Sequence, residues 1–506
     1  MKKDEANTFI PGFYAGRSIL ISGSTGFLGK VLCEKLLRSC PDIAQIFVLI
    51  RPKKQLSVND RLKKILENKL FDILRSERPS ALNKLIPITS DVSVKGLGLS
   101  PSDREMLIEK VNIIFHVAAS VRFDENLHDA IFNNTRSTRD LCILATEMKK
   151  LVVLLHVSST YAQTEKYEVH ETLYPPELDW RDAIKVAESV DEYTLKTFTA
   201  KYLATMPNTY TFTKKLAEAV ISDFSKSLPC VIIRPSIVVS TITEPVKGWL
   251  DNFNGPIGLL VGGGKGVLRV IYVDPSSISD FIPVDVAIKA MIIAAWQRGI
   301  KPITEDNTMH IYNCSSHEVK QMTIKNLIEM AFQITKDVPL EKIIWSPATT
   351  ITKNRFIYYI LVLIMHIIPA LFIDLIMKLF GARPILLKLH KKIYCANNAL
   401  SYFLTNNWKF HNEKLLNLFD NLSAENKDFG FSYKDLNIEN YFREGLIGAK
   451  IYLLKEDMNQ LEAARRHRKR MDWLNRITTM FFVILILWIF YRSNTPSYIT
   501  SFLIPN

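Results

Sequence analysis

Residues 17–29 read RSILISGSTGFLG, and the fold follows from how that stretch changes character. Its first half is apolar without alternation, as a strand buried on both faces requires. Its second half, Gly23-Ser24-Thr25-Gly26-Phe27-Leu28-Gly29, is a glycine-rich turn that opens a helical pattern. Glycine lets backbone approach a pyrophosphate closely. A helix N-terminus adds free N–H groups and the positive end of its dipole. The spacing is GxxGxxG, not GxGxxG; it gains meaning from its place behind an apolar strand.

Further apolar runs follow at residues 46–50, 85–89, 113–117, 151–157 and 231–233. Helical patterns separate them, for example residues 59–77 and 127–148. This alternation predicts an α/β fold, a Rossmann-type doubly wound parallel sheet covered on both faces, to about residue 340.

The second strand ends at Arg51, with Lys53 and Lys54 just beyond. An acidic residue there would hold ribose hydroxyls, whereas a cation suits a 2′-phosphate, so the expected cofactor is NADPH; a solvated basic loop is the alternative. Asp91, after the third strand, either approaches the adenine or is a turn aspartate. Val117, Ala118 and Ala119 end the fourth strand and are small enough for a cofactor to lie close. Pro235 is expected to break the ladder and open a loop toward the nicotinamide.

Tyr210 and Lys214 form YxxxK on a predicted helix, where a spacing of four puts both on one face. A nearby ammonium is expected to lower the phenol toward working pH, so that the tyrosine donates a proton as a carbonyl is reduced. Ser158, Ser159 and Thr160 end the fifth strand, where one hydroxyl could hold the carbonyl oxygen. Lys265 and Arg269, in and after GGGKG, could meet phosphates or belong to a surface loop.

Beyond residue 345 the composition changes. Residues 356–373, FIYYILVLIMHIIPALFI, fit an interfacial or re-entrant segment, the wall of an apolar tunnel, or a buried helix. Residues 477–491, ITTMFFVILILWIFY, carry no charge and follow the basic run 465–470 and Arg476. They predict a C-terminal transmembrane helix with the preceding chain on the cytosolic side, a buried core helix being the alternative. The expected order is a reductase domain at 1–345, an apolar linker or membrane-associated segment at 346–384 and a smaller, mostly helical domain at 385–457. A basic helical tail at 458–476, the span at 477–491 and a terminal tail at 492–506 complete it.

The net charge of +13 favours acidic partners. No nucleic-acid module is recognisable, so phosphorylated ligands and membrane lipid lead. Six dispersed cysteines without a CxxC pair predict reduced thiols and no metal site. The first residues open no apolar run, so no secretory signal is expected.

The segments ISGSTGFLGKVLCEKLLRSCP, HVAASVRFDE, NTYTFTKKLAE, IIRPSIV, GWLDNFNGPIGLLVGGGKGVLR and YNCSS add to these motifs. So do the C-terminal KFHNEKLLNLF, FSYKDL and IYLLKED. Together they resemble the eukaryotic alcohol-forming fatty acyl-CoA reductases of insect type, over about residues 12–457. The resemblance implies an extended short-chain dehydrogenase fold and long-chain acyl-CoA reduced twice with NADPH to an alcohol. It implies Tyr210 and Lys214 as the catalytic pair and Gly23, Gly26 and Gly29 as the cofactor loop. Relatives often read Val-Ser-Thr-Ala-Tyr where this chain has Val157-Ser158-Ser159-Thr160-Tyr161. Ser159 takes the threonine's place, and the choice among the three hydroxyls stays open. The rivals are an aldehyde-forming reductase, another membrane-bound extended short-chain dehydrogenase and a non-enzymatic NADPH-binding scaffold. A homodimer, and a membrane of the endoplasmic reticulum or peroxisome, complete the expectations.

Overall fold

Apolar runs too long to alternate become strands covered on both faces. A computed structural model describes residues 9–492 apart from residue 54, residues 305–307 and residues 434–435. The strands in chain order are β1 (Ser18–Ser22), β2 (Gln45–Ile50), β3 (Leu85–Thr89), β4 (Val111–His116), β5 (Val153–Val157) and the short β6 (Glu168–Val169). Then come β7 (Cys230–Pro235), β8 (Ile237–Val239), β9 (Val270–Tyr272), β10 (Phe281–Pro283), β11 (His310–Cys314), β12 (Thr350–Thr352) and β13 (Lys409–Phe410). Seven of them make one parallel sheet in the order β11-β7-β5-β4-β1-β2-β3. The chain reverses direction across the sheet between β1 and β4, which puts a crevice at the carboxyl ends of those strands.

The helices that matter are α1 (Phe27–Ser39), α2 (Ser137–Thr146), α3 (Thr209–Phe224), α4 (Pro256–Gly264), α5 (Val284–Gly299) and α6 (Ile324–Asp337). They are followed by α7 (Arg355–Val362), α8 (Ile368–Leu379), α9 (Leu386–Thr405), α10 (Glu413–Asp420), α11 (Ile438–Gly448) and α12 (Leu461–Arg492). The sheet's pleat sorts its side chains. Ile19, Ile21 and Val48 face α1 and α5, while Leu20, Phe47 and Leu49 face α2 and α3.

Three sequence readings change. The predicted helix at 59–77 is broken at Asn68, whose Oδ1 accepts from the Leu70 N–H and from Trp249 Nε1. Pro235 does not break the ladder, because it is the last residue of β7 and still pairs with Cys314. The strand bends after it and resumes as β8, which pairs with β10. The glycine-rich 262–266 stretch is no surface loop. The end of α4 packs so tightly that a side chain on Gly264 would press on Thr335 and Leu340.

The C-terminal residues share the reductase core. β13 adds to β6, and Leu415, Leu418, Phe442 and Leu446 join the cluster under α5. Glu171, at the end of β6, accepts N–H groups from Asn313, Lys414 and Leu415. Burial pushes its carboxyl up to about 7, against those hydrogen bonds.

Among the described residues, two helical stretches are long and apolar enough to cross a membrane, Arg355–Leu379 and Met458–Ile489. The first is α7 and α8 joined by a π-turn at Leu363–Ile367. The second is mostly α12, which carries the basic run and the uncharged run on one continuous helix and buries almost nothing. The buried-core alternative for 477–491 therefore falls, since Phe481, Ile484, Ile486 and Trp488 are all more than half exposed.

Candidate active site

A cavity of about 640 Å³ opens at the carboxyl ends of β1, β2, β4, β5 and β7. Its floor is the glycine loop. Gly23 has φ +73°, and a Cβ there would lie 2.6 Å from Ala118 N, so only glycine fits between β1 and β4. A Cβ on Gly29 would meet Gly23 O at 2.3 Å, which is why α1 can start directly beneath the loop. The N-cap is Gly26, with no side chain over the first N–H groups of α1. They remain available to an anion.

Gly23, Thr25, Gly26, Phe27, Leu28 and Gly29 all line the cavity, as do Arg51, Asp91, Val117, Ala118, Ala119 and Pro235. Ser24 does not. Its hydroxyl turns inward to Leu49 O at 3.3 Å and ties the loop to β2. Arg51 is 62% exposed and 3.9 Å from Asp91, so its guanidinium is free to meet a further anion. Lys54 lies outside the described residues.

α3 is capped by Asn208, whose side chain accepts from Thr211 N, and this fixes the first turn that carries Tyr210. Tyr210 and Lys214 share one face of α3 and both line the cavity. Lys214 Nζ donates to Val157 O at 2.6 Å, across from the end of β5. Burial pulls its ammonium down to about 8, while Glu218 one turn on works the other way. Burial also raises the Tyr210 phenol, and the Ser159 hydroxyl beside it draws it partly back. The expected lowering of the phenol by Lys214 is not what this geometry gives: desolvation wins, and Tyr210 holds its proton.

The three hydroxyls after β5 separate clearly. Thr160 is buried away from the cavity. Ser158 and Ser159 line it, and only Ser159 reaches Tyr210. The buried Ser158 Oγ has no hydrogen-bond partner among the described residues. Such an atom costs free energy unless a ligand or water meets it.

Several residues of this site escaped the sequence reading. Ser22 Oγ accepts from the N–H groups of Val117 and Ala118 and meets His116 Nδ1 at 2.7 Å, so the end of β4 is held against β1. Burial keeps His116 neutral, down to about 3. Asn134 Nδ2 reaches Thr213 on α3 while its Oδ1 accepts from Ser120 N. Arg234 and Glu218, both fully buried, pair at 2.7 Å behind Lys214. No local motif signals any of these, because each joins segments far apart in sequence. Lys265 and Arg269, in contrast, stand away from the cavity. Lys265 pairs with Glu456, and Arg269 lies over the Trp345 ring.

No metal group was expected from the cysteine pattern, yet Glu168, His170 and His411 bring ligand atoms within 4.8 Å of one another where β6 meets β13. His411 Nδ1 is 3.0 Å from Glu318 and its Nε2 3.3 Å from Glu168, so these side chains already meet one another as hydrogen-bond partners.

A glycine loop under a helix N-terminus, with tyrosine, lysine and serine on the facing wall, defines a nicotinamide-dependent reductase of the short-chain dehydrogenase type. The comparisons agree. A family model described as "Male sterility protein", NAD-binding, matches residues 21–291, and a second of the same description matches 365–456. "Fatty acyl-CoA reductase 1" of Xenopus laevis is 37% identical over 482 residues, 95% of this chain and 93% of that one. The Homo sapiens protein of the same name gives the same figures. "Fatty acyl-CoA reductase wat" of Drosophila melanogaster is 36% identical over 95% of this chain and 92% of its own. Among solved structures, the reductase domain of a nonribosomal peptide synthetase from Mycobacterium tuberculosis has the same fold (TM-score 0.58, 16% identity, 89% of this chain and 96% of that one). The terminal R domain of the myxalamid pathway is similar (TM-score 0.56, 17% identity, 87% and 92%). The chain belongs to the fatty acyl-CoA reductase family.

Proposed function

We propose that the chain reduces long-chain fatty acyl-CoA to the fatty alcohol and free CoA, using two NADPH per turnover. The observation that carries this is the convergence of Ser159, Tyr210 and Lys214 on one wall of a cavity whose other wall is the glycine loop. The residues present fit the cofactor. The uncapped start of α1 suits a pyrophosphate, and exposed Arg51 suits a 2′-phosphate. Ser158 Oγ supplies an unspent hydroxyl on the same wall.

When bound, NADPH supplies hydride to the carbonyl carbon. Ser159 donates a hydrogen bond to the carbonyl oxygen and holds it beside Tyr210. Tyr210, protonated because it is enclosed, gives its proton to that oxygen as negative charge develops. Lys214, fixed by Val157 O one turn along α3 from the tyrosine, would keep a positive charge there and hold the cofactor ribose. The hemithioacetal so formed breaks its C–S bond, and its hydroxyl proton leaves with CoA as the free thiol, so that an aldehyde remains. A second reduction at the same three residues gives the alcohol.

α12 is read as the membrane anchor, with the catalytic domain on the cytosolic side. Its uncharged run of about fifteen residues spans only about 22 Å. That suits the thinner endoplasmic reticulum better than the plasma membrane.

The test uses the full-length chain in detergent with palmitoyl-CoA. Two NADPH oxidised per CoA released, with hexadecanol as product, is the expected result. One per CoA with hexadecanal accumulating would make it an aldehyde-forming reductase, and no CoA release would end the proposal. A glycosylation acceptor fused to the C-terminus tests the anchor in microsomes. An unmodified acceptor open to protease from the cytosolic side means α12 does not span.

A further inference from the structure

The stretch Arg355–Leu379 buries a single narrow stripe. Tyr358, Val362, His366, Ala370 and Asp374 are buried, one residue in every four. Each has a reason. Tyr358 and Val362 pack on Val270 of β9, His366 Nε2 accepts from Arg269 N, and Asp374 accepts the N–H groups of Ile385, Leu386 and Leu387 that start α9. The first half of the stretch is thus held along β9 and the second half is folded back on the start of α9, so it lies against the protein on one side instead of standing away from it as α12 does.

The rest of its surface is apolar and open. Fourteen large apolar side chains between residues 356 and 385 are exposed, among them Phe356 at 73%, Phe372 at 65% and Leu379 at 76%. A patch of that extent on a soluble protein marks an interaction site. Its border is basic. Lys353, Arg355, Lys378, Arg383, Lys388, Lys391 and Lys392 are all exposed, and the one carboxylate between residues 353 and 405, Asp374, is buried on its three N–H donors. Apolar surface rimmed by lysine and arginine matches acyl chains beneath anionic headgroups.

The anchor leaves the body beside this patch. Asn475, one residue before Arg476, accepts from Trp345 Nε1 at 2.6 Å. Arg269 lies over the Trp345 ring and donates its backbone N–H to His366, in the middle of the stretch. At the other end, α9 carries Phe403 against Phe123, and Phe123 against Tyr210, with ring centres 5.2 Å and 5.7 Å apart. Its twenty residues cover about 30 Å between the patch and the reacting tyrosine.

We propose that α7 and α8 lie in the near leaflet of the bilayer that holds α12, and that the substrate's acyl chain reaches Tyr210 from that leaflet along α9. The second half rests on the acyl-CoA reading; the first does not.

The test places the full-length chain in nanodiscs of phosphatidylcholine and phosphatidylserine. An environment-sensitive fluorophore is attached through Phe372→Cys in a Cys395→Ser background, and through Tyr193→Cys as the control. The expected result is several-fold stronger quenching of the 372 probe by acyl-chain spin-labelled lipid than by iodide, with the order reversed at 193. Quenching of both probes alike by iodide overturns the placement. So does shielding of the 372 probe from both quenchers in particles holding two chains, which would make a second copy the occupant. This arm reads out even if the chain reduces nothing. For delivery, Leu371→Glu with Leu375→Glu should raise KM for vesicle-borne palmitoyl-CoA about tenfold and leave kcat/KM for soluble octanoyl-CoA unchanged. Equal effects on both substrates would remove the route along α9.

Discussion

The cofactor cleft and the α7–α8 stretch show two opposite ways of using the same kinds of residue. In the cleft a single methyl group has no room at Gly23 or Gly29, and charged groups such as Arg234 and Glu218 are matched inside the protein. Along α7 and α8 five buried residues, with partly buried neighbours such as Leu361 and Met365, hold the helix, and most of the other large apolar side chains face away from the protein. The difference teaches where a substitution will be felt. In the cleft the protein itself supplies most of each side chain's environment, and leaves only a few groups such as Ser158 and Arg51 for a ligand; on the stretch, something outside the protein must cover a whole face.

The sharpest break in that comparison is Tyr210→Phe. Removing one hydroxyl from the cavity wall should cut alcohol formation 10²- to 10⁴-fold, the usual worth of general acid work. NADPH binding, followed by fluorescence, should be retained; turnover near the wild-type rate would remove Tyr210 from the chemistry.

Next comes Glu218→Ala. It leaves Arg234 charged, fully buried and unpaired, which costs about 3–5 kcal/mol. The unfolding midpoint in detergent should drop clearly, and an unchanged midpoint would mean the pair contributes little.

Lys214 gives a pH test with two opposite signs. Its ammonium titrates near 8 in the folded protein, below the ordinary lysine value of 10.5. Above pH 8 the charge is lost, so kcat/KM should fall about tenfold per unit. Over the same window the unfolded chain binds more protons at this residue, so its contribution to stability rises with pH until about 10.5. A flat rate profile between pH 7 and 9.5 would contradict the assignment.

Arg51→Asp should shift the NADPH-to-NADH ratio of kcat/KM by about tenfold or more toward NADH, since a carboxylate there repels a 2′-phosphate and suits ribose hydroxyls. Equal losses with both cofactors would mean the residue does not read the phosphate.

The smallest effect is expected outside the cleft. Phe372→Ala should change the unfolding midpoint in detergent by no more than about 0.5 kcal/mol allows. The same change at buried Phe47 should cost about 3–5 kcal/mol. A large effect at 372 would mean protein, not lipid, covers it.

What could be read from the sequence follows the same division. The strands were legible because a parallel sheet buries both faces, so their apolar runs are continuous. The glycine loop, Tyr210 and Lys214 were legible because their chemistry depends on local spacing. That the Ser24 side chain turns inward was not legible, because a motif does not say which side chains of a loop face the cavity. The choice of Ser159 over Thr160 needed the direction in which the chain leaves β5. Residues 356–373 stayed open among three readings for a related reason. The buried stripe repeats every four residues, but every position around it is apolar too, so hydrophobicity carried no phase. Ser22, Asn134 and Glu218 gave no signal because each is defined by a partner 16 to 94 residues away.

Glu171 bears on the order in which the chain is made. Two of its three N–H donors, those of Lys414 and Leu415, are separated from it by 243 and 244 residues. At translation rates of about 5–20 residues per second, they follow Glu171 by roughly 10–50 s. Through that interval the carboxyl lacks most of the hydrogen bonds that let it be buried, so the edge of the sheet at β11 stays unfinished on the ribosome. The apolar run at 477–491, proposed above as the anchor, is made shortly after those donors. With α12 as the proposed anchor, completion of the catalytic body and capture of α12 by a membrane would fall within about 3–15 s of each other at those rates, and a delay in the first would leave an open sheet edge beside an exposed apolar helix.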